Sequence, residues 1–196
     1  MKFREFPPIT DIVPQMKMPH KSSLRTFGDS IPLETGRLLR HFCEHKKPRR
    51  ILDMSVGFNN YVFRSYQAAK AKVGMKPVVV YTVDNDEKLL TRAEKSLKSK
   101  GLGTDTIMTV DELNKGRWCE FELVFAGLES QSFQMAFDLA KDDGWIFIPN
   151  VEYHEKSSRW WMAWKLLREN CHLYDVRDMT RCDDGRYAML GRKMTE

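Results

Sequence analysis

From Arg49 onward the chain alternates short apolar runs with helical patterns of roughly 10–15 residues, and this alternation restricts the fold more than any other feature. The strand-like runs fall at about 50–54, 77–83, 106–110, 121–125, 144–148, 172–176 and 187–190. Apolar residues at helical spacing mark about 32–45, 60–73, 86–100, 130–141 and 157–169. Strands separated by such helices build βαβ units, right-handed crossovers and a parallel sheet. Pro77 to Val83 is almost wholly apolar, as a strand covered on both faces must be. Between the last two strands stands only the polar run Arg177 to Arg186, turning at Asp183-Asp184-Gly185, so those two should pair antiparallel. The expectation is a doubly wound α/β sheet of seven strands, mostly parallel, with a C-terminal antiparallel hairpin.

A chain of 196 residues supports one large domain, here 29–196, and 42% hydrophobic residues supply its core. Residues 1–28 carry prolines at 7, 8, 14 and 19 and read as an irregular arm that wraps the body, caps a pocket or meets a partner subunit. Inside the domain, apolar and aromatic positions at Val62, Tyr66, Ala69 and Val73 mark the second helix, stopped by Gly74. No apolar run approaches the roughly 20 residues of a membrane span, and no secretory h-region is visible, so a cytoplasmic protein is expected. Cys43, Cys119, Cys171 and Cys182 form no C-x-x-C pair, which argues against a zinc or redox motif. The net charge of +5 makes nucleic acid a weak partner class.

Function is concentrated at one turn. Arg50 to Asn60 reads as a buried strand, a tight turn and a helix start, and Val80 to Asp84 as the next strand closed by an acid. In an open parallel sheet, ligands sit beyond the carboxyl ends of the strands, where strand order reverses. An acid there can accept hydrogen bonds from a ribose diol, so Asp84 points to an adenosyl-containing ligand. The bland alternative is that Asp84 caps the following helix, although Asp86 suits that role better. Asp53 could tie down loop N–H groups, and Asp111 with Glu112 also reads as a helix N-terminus. His154 has a pKa near neutrality and suits a general base, and Asn150 could orient substrate. Trp160 and Trp164 share a helix face that packs on the sheet. Trp161 points elsewhere and, with the arm, fits a homodimer. No G-x-S-x-G elbow appears.

At about residues 32–193 the chain resembles the class I S-adenosylmethionine-dependent methyltransferases, nearest in flavour to catechol-type O-methyltransferases. The resemblance rests on Pro32 to Leu39, Ile51-Leu52-Asp53, Val83-Asp84-Asn85-Asp86 with Ala93, Leu123 to Gly127 and Asp143 to Val151. It implies a Rossmann-like fold with S-adenosylmethionine as cofactor. It places Asp53, Ser55, Gly57, Asn59, Asp84 and Asp111 around that cofactor. The family's acid-x-Gly-x-Gly-x-Gly is Asp53-Met54-Ser55-Val56-Gly57-Phe58-Asn59 here, so only the middle glycine remains. Metal-dependent members carry an acid after strand four and Asp-Asn after strand five. The matching residues are Ala126 and Pro149-Asn150, which removes two of three oxygen ligands and implies no metal.

The leading expectation is a metal-independent methyltransferase acting on a small molecule or an exposed side chain, with His154 and Asn150 as catalytic residues. The rival is a catalytically inactive methyltransferase-like binding or assembly module. A nucleic-acid methyltransferase is weaker, because Ala126-Gly127-Leu128-Glu129 stands where base-methylating enzymes carry a Pro-Pro-Tyr type motif.

Overall fold

The structure, a computed structural model, describes residues 4–5, 31, 33–116, 120–127, 131–152, 158–176 and 186–195. Its strands are β1 (Arg4–Glu5), β2 (Arg50–Asp53), β3 (Val79–Asp84), β4 (Ile107–Thr109), β5 (Phe121–Phe125), β6 (Ala140–Glu152), β7 (Cys171–Asp175) and β8 (Arg186–Lys193). Its helices are α1 (Leu33–Lys46), α2 (Phe58–Lys72), α3 (Glu87–Lys98), α4 (Val110–Lys115), α5 (Gln131–Leu139) and α6 (Ser158–Asn170).

One sheet holds all strands in the order β1-β7-β8-β6-β5-β2-β3-β4. From β2 the chain winds outward through β3 and β4, then returns to β5 on the other side and winds through β6. Order therefore reverses between β2 and β5, which pair in parallel with Asp53 opposite Phe125. β8 pairs antiparallel with β7, as expected of the hairpin, and inserts between β7 and β6. Seven strands make the expected doubly wound sheet. Arg4–Glu5 adds an eighth, parallel to β7, inside the arm read as irregular. Two residues carry no periodicity, so this edge pairing left no trace in the sequence.

The two-residue period shows along the central strands. Ile51, Leu123, Phe125, Trp145 and Phe147 pack with α1 and α2, while Leu52, Val124, Ile146 and Ile148 pack on the opposite face with α5 and α6. Val73, the last apolar position expected in the second helix, stands at the C-cap of α2 and is 69% exposed. β6 runs far beyond the expected 144–148. It starts directly after α5 and kinks at Asp143, whose φ is +61°. Its ladder to β8 slips between Ile148 and Val151. Pro149 lies in that bulge, where its missing N–H interrupts no regular pairing. Among the described residues no helix is long and apolar enough to cross a membrane.

Candidate functional site

The loop after β2 is held by side chains where glycines are missing. Asp53 is fully buried at the strand end. Its Oδ1 accepts from Asn59 Nδ2 at 2.6 Å and its Oδ2 from Asn60 Nδ2 at 2.5 Å. Both asparagines stand in the first turn of α2, so they stitch that turn back onto the strand. Asn59 Nδ2 also reaches the Ser55 carbonyl at 3.1 Å, and Asn60 Oδ1 accepts the Gly57 N–H at 2.8 Å. The Asn59 side chain is thus folded beneath the loop. Phe58 is buried in the core against Gly36 of α1.

Asp84 closes β3 and clasps two loops. Its Oδ2 accepts the Val56 N–H at 3.0 Å and its Oδ1 accepts the Asp86 N–H at 2.9 Å. The cap of α3 is Asp86, which accepts from Lys88 and Leu89 N–H at 2.8 and 3.3 Å. Asp84 is half-buried and free of that duty. On the neighbouring strand Thr109 lies in register with Asp84. Thr109 and Glu112 exchange hydrogen bonds as a capping box, which lowers the Glu112 carboxyl chiefly through the Thr109 N–H. Asp111 is exposed in the same first turn.

A second, buried layer supports the loop. Asn60, Arg64 and Gln67 form one stripe of α2, spaced four and three residues apart. Asn60 Nδ2 reaches Thr82 Oγ1 at 3.3 Å, and Arg64 Nη2 reaches the same oxygen at 3.4 Å. Both Arg64 Nη atoms lie 3.2 Å from Thr106 Oγ1, whose hydroxyl donates to the Val80 carbonyl. Gln67 Nε2 donates to the Val78 carbonyl at 2.8 Å. Arg64 is 2% exposed and its Nε meets no partner among the described residues. Burial lowers its guanidinium to about 10, against the nearby Asp53 and Asp105 carboxylates. Burial also raises the Asp53 carboxyl well above its usual range, opposed by Asn59, Arg64 and Asn60 and reinforced by Asp84. This layer carries little signal in the sequence. Its one trace is Thr82, a polar residue inside an otherwise apolar stretch of β3, opposite a polar stripe that looks solvent-facing by periodicity alone.

At the point where strand order reverses, Gly127 follows β5 so closely that a Cβ there would sit 2.0 Å from the Met54 carbonyl oxygen. Ala126 is fully buried beside it. The structure gathers Asp53, Ser55, Gly57, Asn59 and Asp84 in one place, with Asp111 in the first turn of α4, past the end of β4. Asn150 lies in the β6 bulge beyond the last β5 pairing, Phe125 to Phe147. His154 lies outside the described residues. Trp164 is half-buried against the sheet, with the Arg168 guanidinium 4.7 Å from its ring centre. The described residues hold no cluster of three His, Cys, Asp or Glu able to hold a metal ion.

This fold is that of the class I methyltransferases. It is shared with a methyltransferase from Geobacter sulfurreducens at TM-score 0.60 and 14% identity, covering 84% of this chain and 82% of the other. It is shared equally with an O-methyltransferase from Bacillus cereus solved in complex with SAH, at TM-score 0.59 and 14% identity, covering 91% and 94%. A tRNA (m1A58) methyltransferase from Aquifex aeolicus matches at TM-score 0.56 and 12% identity, covering 85% and 70%. No protein-family model and no curated protein sequence matches the chain.

Proposed function

We propose that this protein is an S-adenosylmethionine-dependent methyltransferase that works without a metal ion on a small molecule or an exposed side chain. The observation that supports this most is the state of the Asp84 carboxylate. Each of its oxygens accepts one backbone N–H, which leaves a lone pair on each for the two hydroxyls of a ribose. The fold places that carboxylate at the carboxyl edge of the sheet, one strand from the reversal of strand order.

The loop also has the right electrostatics for this ligand. The Val56 and Gly57 N–H groups are already taken by Asp84 and Asn60. A phosphate-binding turn needs such amides free and facing the anion. Here the amides are satisfied and the rim carries a carboxylate, so a pyrophosphate is disfavoured and a sulfonium cation is favoured. Ser55, Gly57 and Asn59 would border the methionine part, over the buried Asp53, and Asp111 the adenine. When bound, the cofactor supplies a methyl carbon on positive sulfur, open to in-line displacement.

The chain's own part is alignment. Asn150, at the bulge of β6, orients the acceptor, and His154 takes the proton of its nucleophile. Ala126 and Pro149 offer no oxygen side chain where the resembled metal-dependent enzymes bind their ion, so positioning carries the reaction. Thermal unfolding with millimolar S-adenosylmethionine or S-adenosylhomocysteine tests this reading. A hundredfold excess over Kd should stabilise the protein by about 2.7 kcal/mol, and Asp84→Ala should erase the rise. An unchanged midpoint in the intact protein would overturn the proposal and leave a methyltransferase fold used for binding or assembly.

A further inference from the structure

We infer that Arg64 is a positioning residue for the cofactor loop: it is the buried counter-charge that lets Asp53 hold Asn59 and Asn60 with both carboxylate oxygens. This rests on the proposal that the loop binds S-adenosylmethionine.

The argument begins with two opposite charges that do not touch. Asp53 is 0% exposed and Arg64 is 2% exposed. Between them run Asn60, bonded to Asp53 Oδ2, and Thr82, bonded to both Asn60 Nδ2 and Arg64 Nη2. A charge buried without compensation is costly, and the usual response is neutralisation by a proton. For Asp53 that response would be harmful locally. Asn59 and Asn60 each present an N–H to a different oxygen, so both oxygens must accept. A protonated acid sets an O–H donor against one of those donors and loosens that asparagine. Asn60 in turn holds the Gly57 N–H, and Asn59 holds the Ser55 carbonyl. The loop's shape therefore depends on the ionised state.

Arg64 is well placed to preserve that state. It stands one helical turn after Asn60, on the same stripe of α2. Its Nη groups reach Thr82 and Thr106, tying β3 to the connection before β4. The other charges facing the pair are Asp84, on β3, which opposes ionisation of Asp53, and Asp105, before β4, which faces Arg64. Among the described residues Arg64 is the cation that favours the Asp53 carboxylate. A glycine-poor loop thus exchanges backbone freedom for a side-chain brace, and the brace requires a buried cation.

The test measures S-adenosylhomocysteine affinity by calorimetry from pH 6 to pH 9 in four proteins. The wild type, whose Asp53 is itself pushed up by burial, should lose affinity only toward the acid end of this range. Arg64→Met should bind about tenfold more weakly for each pH unit below its Asp53 pKa and recover toward pH 9. Arg64→Lys should restore the wild-type profile. Asp53→Asn should bind weakly at every pH, and adding Arg64→Met to it should cost less than in the wild type. An equal loss at all pH values in Arg64→Met, an unchanged profile, or a full additive cost in the double variant would overturn the inference. Should Arg64→Met alone fail to fold, recovery of folding in the Asp53→Asn, Arg64→Met double variant supports the charge balance, and failure to recover refutes it. If the wild type binds no S-adenosylhomocysteine, the methyltransferase reading fails first. Amide exchange at Val56 and Gly57 still decides the brace without ligand. Relative to wild type at the same pH, Arg64→Met should expose both amides more at pH 6 than at pH 9, and equal exposure would refute it.

Discussion

Asp53 shows how a buried carboxyl can serve geometry and oppose stability together. Burial pushes its pKa up, outweighing the donors and the cation that favour the carboxylate. The folded chain therefore keeps the proton to higher pH than the unfolded chain, where aspartate titrates near about 3.9. For an acid shifted upward, the favourable contribution is complete below the unfolded value and is lost as pH rises through the folded one. Asp53→Asn removes this dependence and also mispairs one asparagine donor. The thermal midpoint of the wild type should exceed that of Asp53→Asn most in acid, and the gap should narrow as pH rises above about 4. A gap that widens with pH would contradict the assignment. Gly127 makes a simpler case. A Cβ would lie 2.0 Å from the Met54 carbonyl oxygen, and that atom belongs to backbone that cannot swing away. Gly127→Ala should lose about 1–3 kcal/mol in urea unfolding and weaken cofactor binding, because the post-β5 segment and the loop must separate. Neither residue's role could be read from sequence. Asp53 was visible as a strand-ending acid, but its partner Asn59 looked like a lost glycine of the motif, Asn60 carried no signal, and Gly127 showed only as the end of the fourth-strand segment.

At the scale of elements, the helices sort the two acids that follow β3. Asp86 caps α3 and Asp84 clasps the loop, so their substitutions should separate stability from binding. Asp86→Ala should lower stability by about 1 kcal/mol while the cofactor-induced rise in midpoint remains. Asp84→Asn keeps the size of the side chain and should cost binding far more than stability. Equal effects of the two on binding would mean that the ligand does not engage Asp84. The elements most legible in the sequence were those with a strong period. β5 matches its expected bounds, and α3 buries Leu90, Ala93 and Leu97 as its spacing required. Less legible were elements whose ends are set by tertiary partners. α2 begins at Phe58, two residues before its expected start, because Gly57 and Asn60 close its first turn. β6 extends to Ala140 on one side and Glu152 on the other because β5 and β8 supply its pairing. The stripe of Asn60, Arg64 and Gln67 was hidden for a related reason. Periodicity separates polar from apolar faces, yet it cannot say that a polar face meets Thr82 and Thr106 in place of water.

For the whole molecule, the order of strands is what the alternation of runs and helices could give, since handedness and short connections leave few arrangements. The site follows from that order, because reversal between β2 and β5 gathers loops from distant parts of the chain at one edge. The same topology makes the two halves inseparable. β8, from the chain's end, lies between β6 and β7, and β6 is itself paired to β5 beside β2. Ala188 and Leu190 of β8 pack in the layer under α1 and α2, while Met189 packs in the opposite layer. Loss of β8 would leave β6 with a bare edge at the centre of the sheet, cut β7 from its antiparallel neighbour and open both layers at once. Unfolding of the intact chain in urea should accordingly follow a single transition by far-ultraviolet dichroism and by tryptophan fluorescence alike. A chain truncated before Arg186 should show no cooperative transition, whatever cofactor is added. Retention of a cooperative transition by the truncated chain would show that β2 to β6 form a core able to stand alone, and that β8 closes the sheet only after that core has formed.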